Sequence, residues 1–425
     1  MKGREKDIYT FLMGVGSKFL NFIKWVAIAV ATGVLVGLTG TAFSYGMQYA
    51  TDFRTSHPAV ILGLPVAGLL IVFLYHLAHR DNDGGTNSVL SAVRSEEQLH
   101  FSTAPLIFVS TILTHLFGGS AGREGAALQL GGSLGNCFGK LFRMKGADAH
   151  VMIMCGMSAC FSALFGTPMA AAIFPMEVVS VGVMYYAALV PCALSALTAA
   201  GVARALGAYG ESMRIAYVPE FTVVTGSKTL ILAMLCAVLS VLFCVALHTA
   251  ASQGKRYLPN PYLRIGLAGA LIVALTALLG TTDYLGAGMD VIDRCLEGQV
   301  RPEAFLLKLI FTAITLGAGY KGGEIVPSFF VGAAFGCLMG GFLGLSPSLC
   351  AAVGMIAVFC GVTNSPITSL LIALELFGME GMPYFLTGVA VSYMLSGYQS
   401  LYHTQKIIYS KYRAELKKSG REEKN

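Results

Sequence analysis

Charge is what this sequence has least of. Only 12% of its 425 residues are Asp, Glu, Lys or Arg, 55% are hydrophobic, and the mean hydropathy is +0.68. Soluble domains carry about 25% charged residues, so the deficit excludes a water-soluble fold of this length. Metal-ligand spacing is also missing: the ten cysteines lie mostly inside apolar stretches and read as reduced thiols in a core or facing lipid, with no metal and no cofactor implied. A nucleic-acid partner is excluded by where the net charge of +6 resides. Basic residues gather at Lys2, Arg4, Lys6, Lys18 and Lys24, at Lys140, Arg143 and Lys145, and at Lys406, Lys411, Arg413, Lys417, Lys418 and Arg421, the bias toward cytoplasmic ends seen in membrane proteins. Both termini are therefore expected on the cytoplasmic side.

What the chain does have is apolar runs. Residues 25–45, 59–77, 229–247 and 265–279 are each near the ~20 residues that cross a hydrocarbon core. The first is too long for a signal-peptide core and has no small-residue cleavage pattern behind it, so it should persist as a helix. Fifty glycines and eighteen methionines fit helices that approach closely in lipid, where apolar burial supplies no drive for association. The expectation is an all-α, multi-pass membrane protein embedded in a lipid bilayer.

Two pairs of interrupted segments recur. Residues 122–135 read GREGAALQLGGSLG and residues 323–336 read GEIVPSFFVGAAFG, so an offset of 201 sets Gly122 on Gly323, Gly131 on Gly332 and Gly135 on Gly336. Residues 160–178 and 358–376 align at an offset of 198, setting Pro168 on Pro366 and Glu177 on Glu375. Glycine- or proline-broken helices at matching places in two repeats signal a transporter whose site lies between the repeats. A helix that begins inside the membrane exposes unpaired N–H groups and its positive dipole end, which together bind an anion without any lysine. Glycine clusters also serve close packing alone, but packing gives no reason for such a break to recur beside a Pro-initiated helix in both halves.

Glu124, between Arg123 and Gly125 at the head of an apolar helix, is the most informative residue, because an intramembrane carboxylate is costly enough to suggest function. Ionised, it can occupy an anion's place; protonated, it can leave with its proton. A purely structural pairing with Arg123 is disfavoured, since adjacent helical residues do not face one another. Glu375 and Glu177 are expected to act as buried structural acceptors. His115, Asp290 and Asp293 read as loop or packing residues, His150 and His248 as interfacial, and Tyr185 and Tyr186 as a membrane-boundary anchor.

The motifs GREGA at 122–126, FGTPMAAAIFPMEV at 165–178, GGEIVP at 322–327, NSPITSLLIALEL at 364–376 and LYHTQ at 401–405 together resemble the CLC chloride channels and proton-coupled anion transporters over most of the chain. The resemblance implies an inverted-repeat homodimer with one anion pathway per subunit. It makes Glu124 the gating and proton-carrying glutamate, Tyr402 the tyrosine whose hydroxyl bonds the central anion, and Glu324 and Ile325, with Val326 following, a helix start aimed at that anion. Gly125 and Ala126 continue the facing helix start, and Thr86 or Asn87 stands where chloride members carry an inner serine.

Departures from the chloride members form a pattern that looks like the fluoride-exporting branch. Val178 replaces the second, inner carboxylate, the Gly-Gly-Glu-X-X-Pro helix start is present at 322–327, and an Asn-containing break at 84–89 replaces the serine loop; Val326 departs from that branch, where a hydroxyl residue stands. Fluoride is small and strongly hydrated, so a selective site must supply compact donors, as the Asn87 amide can. The expectation is a cell-membrane antiporter exchanging fluoride for protons, with residues 1–17 a cytoplasmic N-terminus, 18–223 and 224–414 the two repeats, and 415–425 a tail without nucleotide-sensing domains. A chloride or nitrate exchanger or a passive anion channel is the alternative, decided by which of Thr86 and Asn87 faces the anion. A membrane-embedded enzyme using Glu124 and His115 would need further convergent polar residues, and the sequence offers few.

Overall fold

The computed structural model describes residues 2–81, 83–95, 99–208 and 213–413; for 2–15 and 17 it describes the backbone only. The charged tail 415–425, with Lys417, Lys418 and Arg421, lies outside the described residues.

Helices dominate the described residues, where the α-helices come as two sets of eight. The first set is α1 (Lys2–Ser56), α2 (Leu64–Leu77), α3 (Thr86–Arg94), α4 (Thr103–Leu116), α5 (Glu124–Leu141), α6 (Ala147–Phe165), α7 (Pro168–Val178) and α8 (Leu189–Ala205). The second is α9 (Val223–Tyr257), α10 (Pro261–Leu279), α11 (Met289–Leu296), α12 (Ala304–Ala318), α13 (Ile325–Leu343), α14 (Pro347–Thr363), α15 (Pro366–Phe377) and α16 (Met382–Leu395). Each set runs long, medium, short, then five mid-length helices, so α5 answers α13 and α7 answers α15. Among the described residues seven stretches are long and apolar enough to cross a membrane, and these contain all four runs identified from sequence. The remaining apolar helices are too short to span, which is the signature of chain that breaks inside the bilayer.

The breaks follow from local sequence. Proline opens α7, α10, α14 and α15, where its missing N–H costs nothing because the first turn has no intrahelical acceptor. Glycine in the left-handed region closes α6 at Gly166 and α13 at Gly344, and Asn364 does the same for α14, a conformation that glycine and asparagine tolerate.

A backbone exchange reveals the relation between the halves. Gly122 N–H donates to Gly323 C=O at 2.6 Å and Gly323 N–H donates to Gly122 C=O at 2.7 Å, as an antiparallel bridge. Two residues that occupy corresponding places in the repeats thus trade identical bonds, which requires a local two-fold between the halves. The repeats are inverted. The same symmetry appears in helix packing, where α5 meets α6 through Gly131, Gly135 and Gly156 and α13 meets α14 through Gly332, Gly336 and Gly354. At these crossings backbone touches backbone: a Cβ on Gly131 would overlap the Gly156 carbonyl, and one on Gly336 the Cys350 carbonyl. Small residues permit the close approach that substitutes for hydrophobic driving force in lipid.

Charge binds the halves a second time. The Glu177 carboxylate at the end of α7 accepts from the N–H groups of Ile367 (2.9 Å) and Thr368 (2.8 Å) and from the Thr368 hydroxyl (2.6 Å) at the start of α15. Reciprocally, Glu375 near the end of α15 accepts from the N–H groups of Met169 (2.8 Å) and Ala170 (2.9 Å) at the start of α7. Each carboxylate satisfies orphan donors and sits at a positive dipole end, the structural role expected of the pair.

After α16 the chain turns inward rather than leaving the membrane domain. Leu401 N–H bonds Val362 C=O at 2.9 Å, and Gln405 Nε2 donates to Val178 C=O and Thr363 C=O, both at 2.8 Å. A two-residue parallel pair, β1 (Ser180–Val181) with β2 (Lys406–Ile407), fixes the register. Gln405 therefore serves as a fastener between the last segment and the ends of α7 and α14. Replacing Gly336 with Ala is expected to cost about 1–3 kcal/mol, the usual range for overpacking a tight contact, and to lower the melting temperature of the purified protein. An unchanged melting profile would mean that α13 and α14 can move apart freely.

Candidate functional site

Four helices, α5, α7, α13 and α15, begin where the two halves touch, and the structure sorts them. The heads of α7 and α15 are already neutralised by Glu375 and Glu177, leaving those of α5 and α13 to face each other across the glycine bridge. The N-terminus of α13 has no side-chain cap, with Glu324 as its N-cap residue and Ile325 and Val326, both buried, as its first turn. Gly125 lies against Gly323, a Cβ there standing 3.0 Å from the Gly323 Cα. Ala126, next in the turn, is fully buried.

Glu124 is the first residue of α5 and is completely buried. Its carboxylate folds back over the head of its own helix: Oε2 accepts from the Arg123 N–H at 3.0 Å, and Oε1 lies 3.4 Å from Arg123 Nε. The sequence argument against an Arg123 pairing therefore fails. It assumed two residues within a helix, whereas Arg123 is the N-cap, with φ −113° and ψ −18°, and from there its side chain reaches its neighbour. The pairing does not remove the other property of Glu124, which is that a carboxylate holds a helix-head N–H that an anion could take instead.

The opposite wall draws on both halves. Thr86 Oγ1, at the start of α3, lies 3.4 Å from the Gly125 carbonyl and accepts from Gln129 Nε2 at 3.2 Å. Glu324 approaches the same glycine, with Oε2 3.1 Å from where a Gly125 Cβ would lie. Asn87 uses its Oδ1 to accept from the Thr404 N–H and hydroxyl, both at 3.2 Å, so its Nδ2 donors remain for the cavity it lines. That tie matters because Thr404 is two residues beyond Tyr402. Tyr402 is 1% exposed, its hydroxyl has no partner among the described residues, and it feels the charges of both Glu324 and Glu124. A buried unsatisfied hydroxyl costs about 1–3 kcal/mol, so this one is placed for something other than the fold.

Two cavities flank the glycine bridge. The first, about 650 Å³, is lined by the end of α1 together with His115, Arg123 and residues 282–291; the second, about 330 Å³, is lined by the ends of α2 and α9 with Asp83, Thr86, Asn87, Gln129, Lys321 and Glu324. Inverted repeats put the ends of α1 and α9 on opposite faces, so the cavities open to opposite sides. Arg123 floors one and its repeat counterpart Glu324 the other.

Several side chains escaped the sequence reading. Gln129 lies one turn after Gly125 and carries a buried, unpartnered Oε1; spacing from Glu124 was the available signal. Lys308 is wholly buried in α12, giving its charge to the carbonyls of Tyr284 (3.2 Å) and Gly286 (2.6 Å) and to the face of Phe330. His248 is not at a helix end as expected. It lies inside α9, stacked on His403 with centroids 3.9 Å apart, and its Nε2 meets the Leu401 carbonyl at 3.2 Å. Asp290 lines the first cavity, and Tyr185 and Tyr186 are exposed. All ten cysteines are free, and no metal-binding cluster occurs among the described residues.

A multi-pass bundle of inverted repeats with helix heads meeting at its centre defines an ion-transporting membrane protein. Residues 67–397 match the family described as voltage gated chloride channel, and the chain belongs to that CLC family. It is 34% identical to a chloride/fluoride channel protein of Pseudomonas syringae pv. tomato over 92% of this chain and 88% of the relative. It is 25% identical to an H(+)/Cl(-) exchange transporter of Vibrio cholerae over 88% of this chain and 87% of that one. The crystal structure of a CLC-type fluoride/proton antiporter superposes with a TM-score of 0.87 at 33% identity, covering 92% of this chain and 99% of the other.

The Asn87–Thr404 tie makes a testable claim about Tyr402. Thr404→Val, which removes the hydroxyl that donates to Asn87, is expected to weaken anion binding about three- to tenfold, the worth of one or two hydrogen bonds. Calorimetric titration with sodium fluoride measures it; wild-type affinity would show that Tyr402 is held without Asn87.

Proposed function

We propose that the protein is a secondary active, proton-coupled anion antiporter, that its principal anion is fluoride, and that Glu124 is both its gate and its proton carrier. One observation carries the reading: a fully buried carboxylate covers the head of a helix that opens against the uncapped head of its repeat counterpart, within electrostatic reach of a buried tyrosine hydroxyl that none of the described residues satisfies.

The ionised Glu124 competes with an anion for helix-head N–H groups. On protonation it loses the charge that holds it there, and the anion replaces it between the heads of α5 and α13, with Tyr402 donating its hydroxyl. Val178 provides no acid and lends its carbonyl to Gln405, so the proton must travel with Glu124 or pass to a carboxylate on the second cavity, where Glu324 stands. Asn87 supports fluoride, because its amide donors line that cavity while its oxygen is engaged. The basic residues Lys255, Arg264 and Lys321 around the second cavity support a cytoplasmic opening there. The lipid bilayer, a homodimeric assembly and both termini in the cytoplasm belong to the same reading, as do repeats at 18–223 and 224–414. A chloride or nitrate exchanger is the second reading, favoured by the likeness to the Vibrio transporter.

Purified protein in liposomes tests both. Fluoride efflux should accelerate in a pH gradient and exceed chloride efflux about tenfold or more, a ratio within reach of donor-built filters; equal rates for the two ions would overturn the fluoride assignment. Glu124→Gln keeps the shape but cannot ionise, and it should abolish proton movement coupled to anion flux. Proton uptake at the wild-type rate in that variant would remove Glu124 from its role.

A further inference from the structure

The first cavity holds a histidine that the central site does not use. His115, in the last turn of α4, is 1% exposed, yet its Nε2 has no hydrogen-bond partner among the described residues and it lines the cavity floor. The other ring nitrogen is committed: Nδ1 lies 3.0 Å from the Thr111 carbonyl. A carbonyl only accepts, so Nδ1 carries a hydrogen in every protonation state. In the neutral ring Nε2 is then a bare lone pair, and in the charged ring it is a donor.

Three basic residues from three elements surround this imidazole, and positive charge on them opposes a proton on the ring until an anion offsets it. Arg54 comes from the end of α1, Arg123 from the head of α5 and Lys308 from α12. Arg54 is buried and anchored to the His115 carbonyl, Lys308 is buried behind the 284–288 loop, and Arg123 is half-buried at the cavity wall. The acids nearby are differently placed: Glu124 faces Arg123, Asp283 pairs with Arg294 and Arg301, and Asp290 acts on Arg54. Nothing in the fold requires a buried imidazole nitrogen among cations to go unpartnered, and such an atom loses its hydration without return.

We propose that the floor of the first cavity is a second anion station, where Arg54, Arg123 and a protonated His115 hold a small monovalent inorganic anion before or after it passes Glu124. Loading takes a proton as well as the anion. An anion beside Nε2 meets a lone pair when the ring is neutral and a charge-assisted donor when it is protonated, so the two bind cooperatively, each raising the affinity for the other by the same factor. The station then delivers an anion and a proton together to the face of Glu124, whichever anion the protein moves.

The test uses the full-length protein in detergent and the Glu124→Gln variant, in which the central carboxylate can no longer take up a proton. Sodium fluoride and sodium chloride are titrated calorimetrically at pH 5.5 and 7.5, in two buffers of different ionisation enthalpy, so that the protons bound per anion can be counted. The expected result in Glu124→Gln is one proton taken up for each anion bound at the station, and because one linked proton over two pH units is worth a factor of about a hundred, that affinity should be about a hundredfold weaker at the higher pH. Adding His115→Gln should abolish both the uptake and the pH dependence. Anion binding by Glu124→Gln with no proton uptake at either pH overturns the proposal without any histidine variant, and undiminished uptake after His115→Gln overturns it as well. Failure of the central-site reading is distinguishable, because it would appear as Tyr402- and Glu124-independent flux and leave the uptake at His115 intact.

Discussion

Two peptide groups do the work on which the rest depends. The mutual hydrogen bonds between Gly122 and Gly323 let chain that is not helical exist in a setting without water to satisfy it, because each residue supplies what the other lacks. Having no side chains, the two glycines also let α5 and α13 begin within contact of each other. The helix heads that result point their remaining N–H groups toward one small region. Around that region lie one buried carboxylate, a buried tyrosine hydroxyl and a cavity on either side.

The carboxylates divide into two kinds by what they cap. Glu177 and Glu375 reach across to the other half and hold helix heads that are not their own, each with two or three donors, so they lock the repeats together. Glu124 covers the head of the helix it belongs to, through its neighbour's N–H, and its proposed release rests on that geometry.

Much of this was legible in the sequence. The apolar runs, the glycine and proline breaks and the repeat offset predicted broken helices at matching places in two repeats, the family resemblance implied that the repeats are inverted, and its motifs pointed to Glu124, Glu324 and Tyr402. The reasons are physical: a break at membrane depth needs particular residues, and a repeat leaves them at a fixed spacing. What sequence missed depended on three dimensions. The Arg123–Glu124 contact turned on a cap geometry that spacing along a helix cannot express. Gln129, Thr404 and Gln405 are ordinary polar residues whose importance comes from partners such as Thr86, 43 positions away, and Val178, 227 positions away. His248 read as interfacial because apolar periodicity says nothing about a stacking partner that arrives 155 residues later, at His403.

Arg123 and Glu324 occupy equivalent places in the two repeats, yet one is a cation and the other an acid. The backbone is thus nearly reversible while its electrostatics are not. An anion thus meets a guanidinium on one approach and a carboxylate on the other, so two matching halves of one architecture hold the same guest with unequal strength, while the gradients alone decide which way it moves.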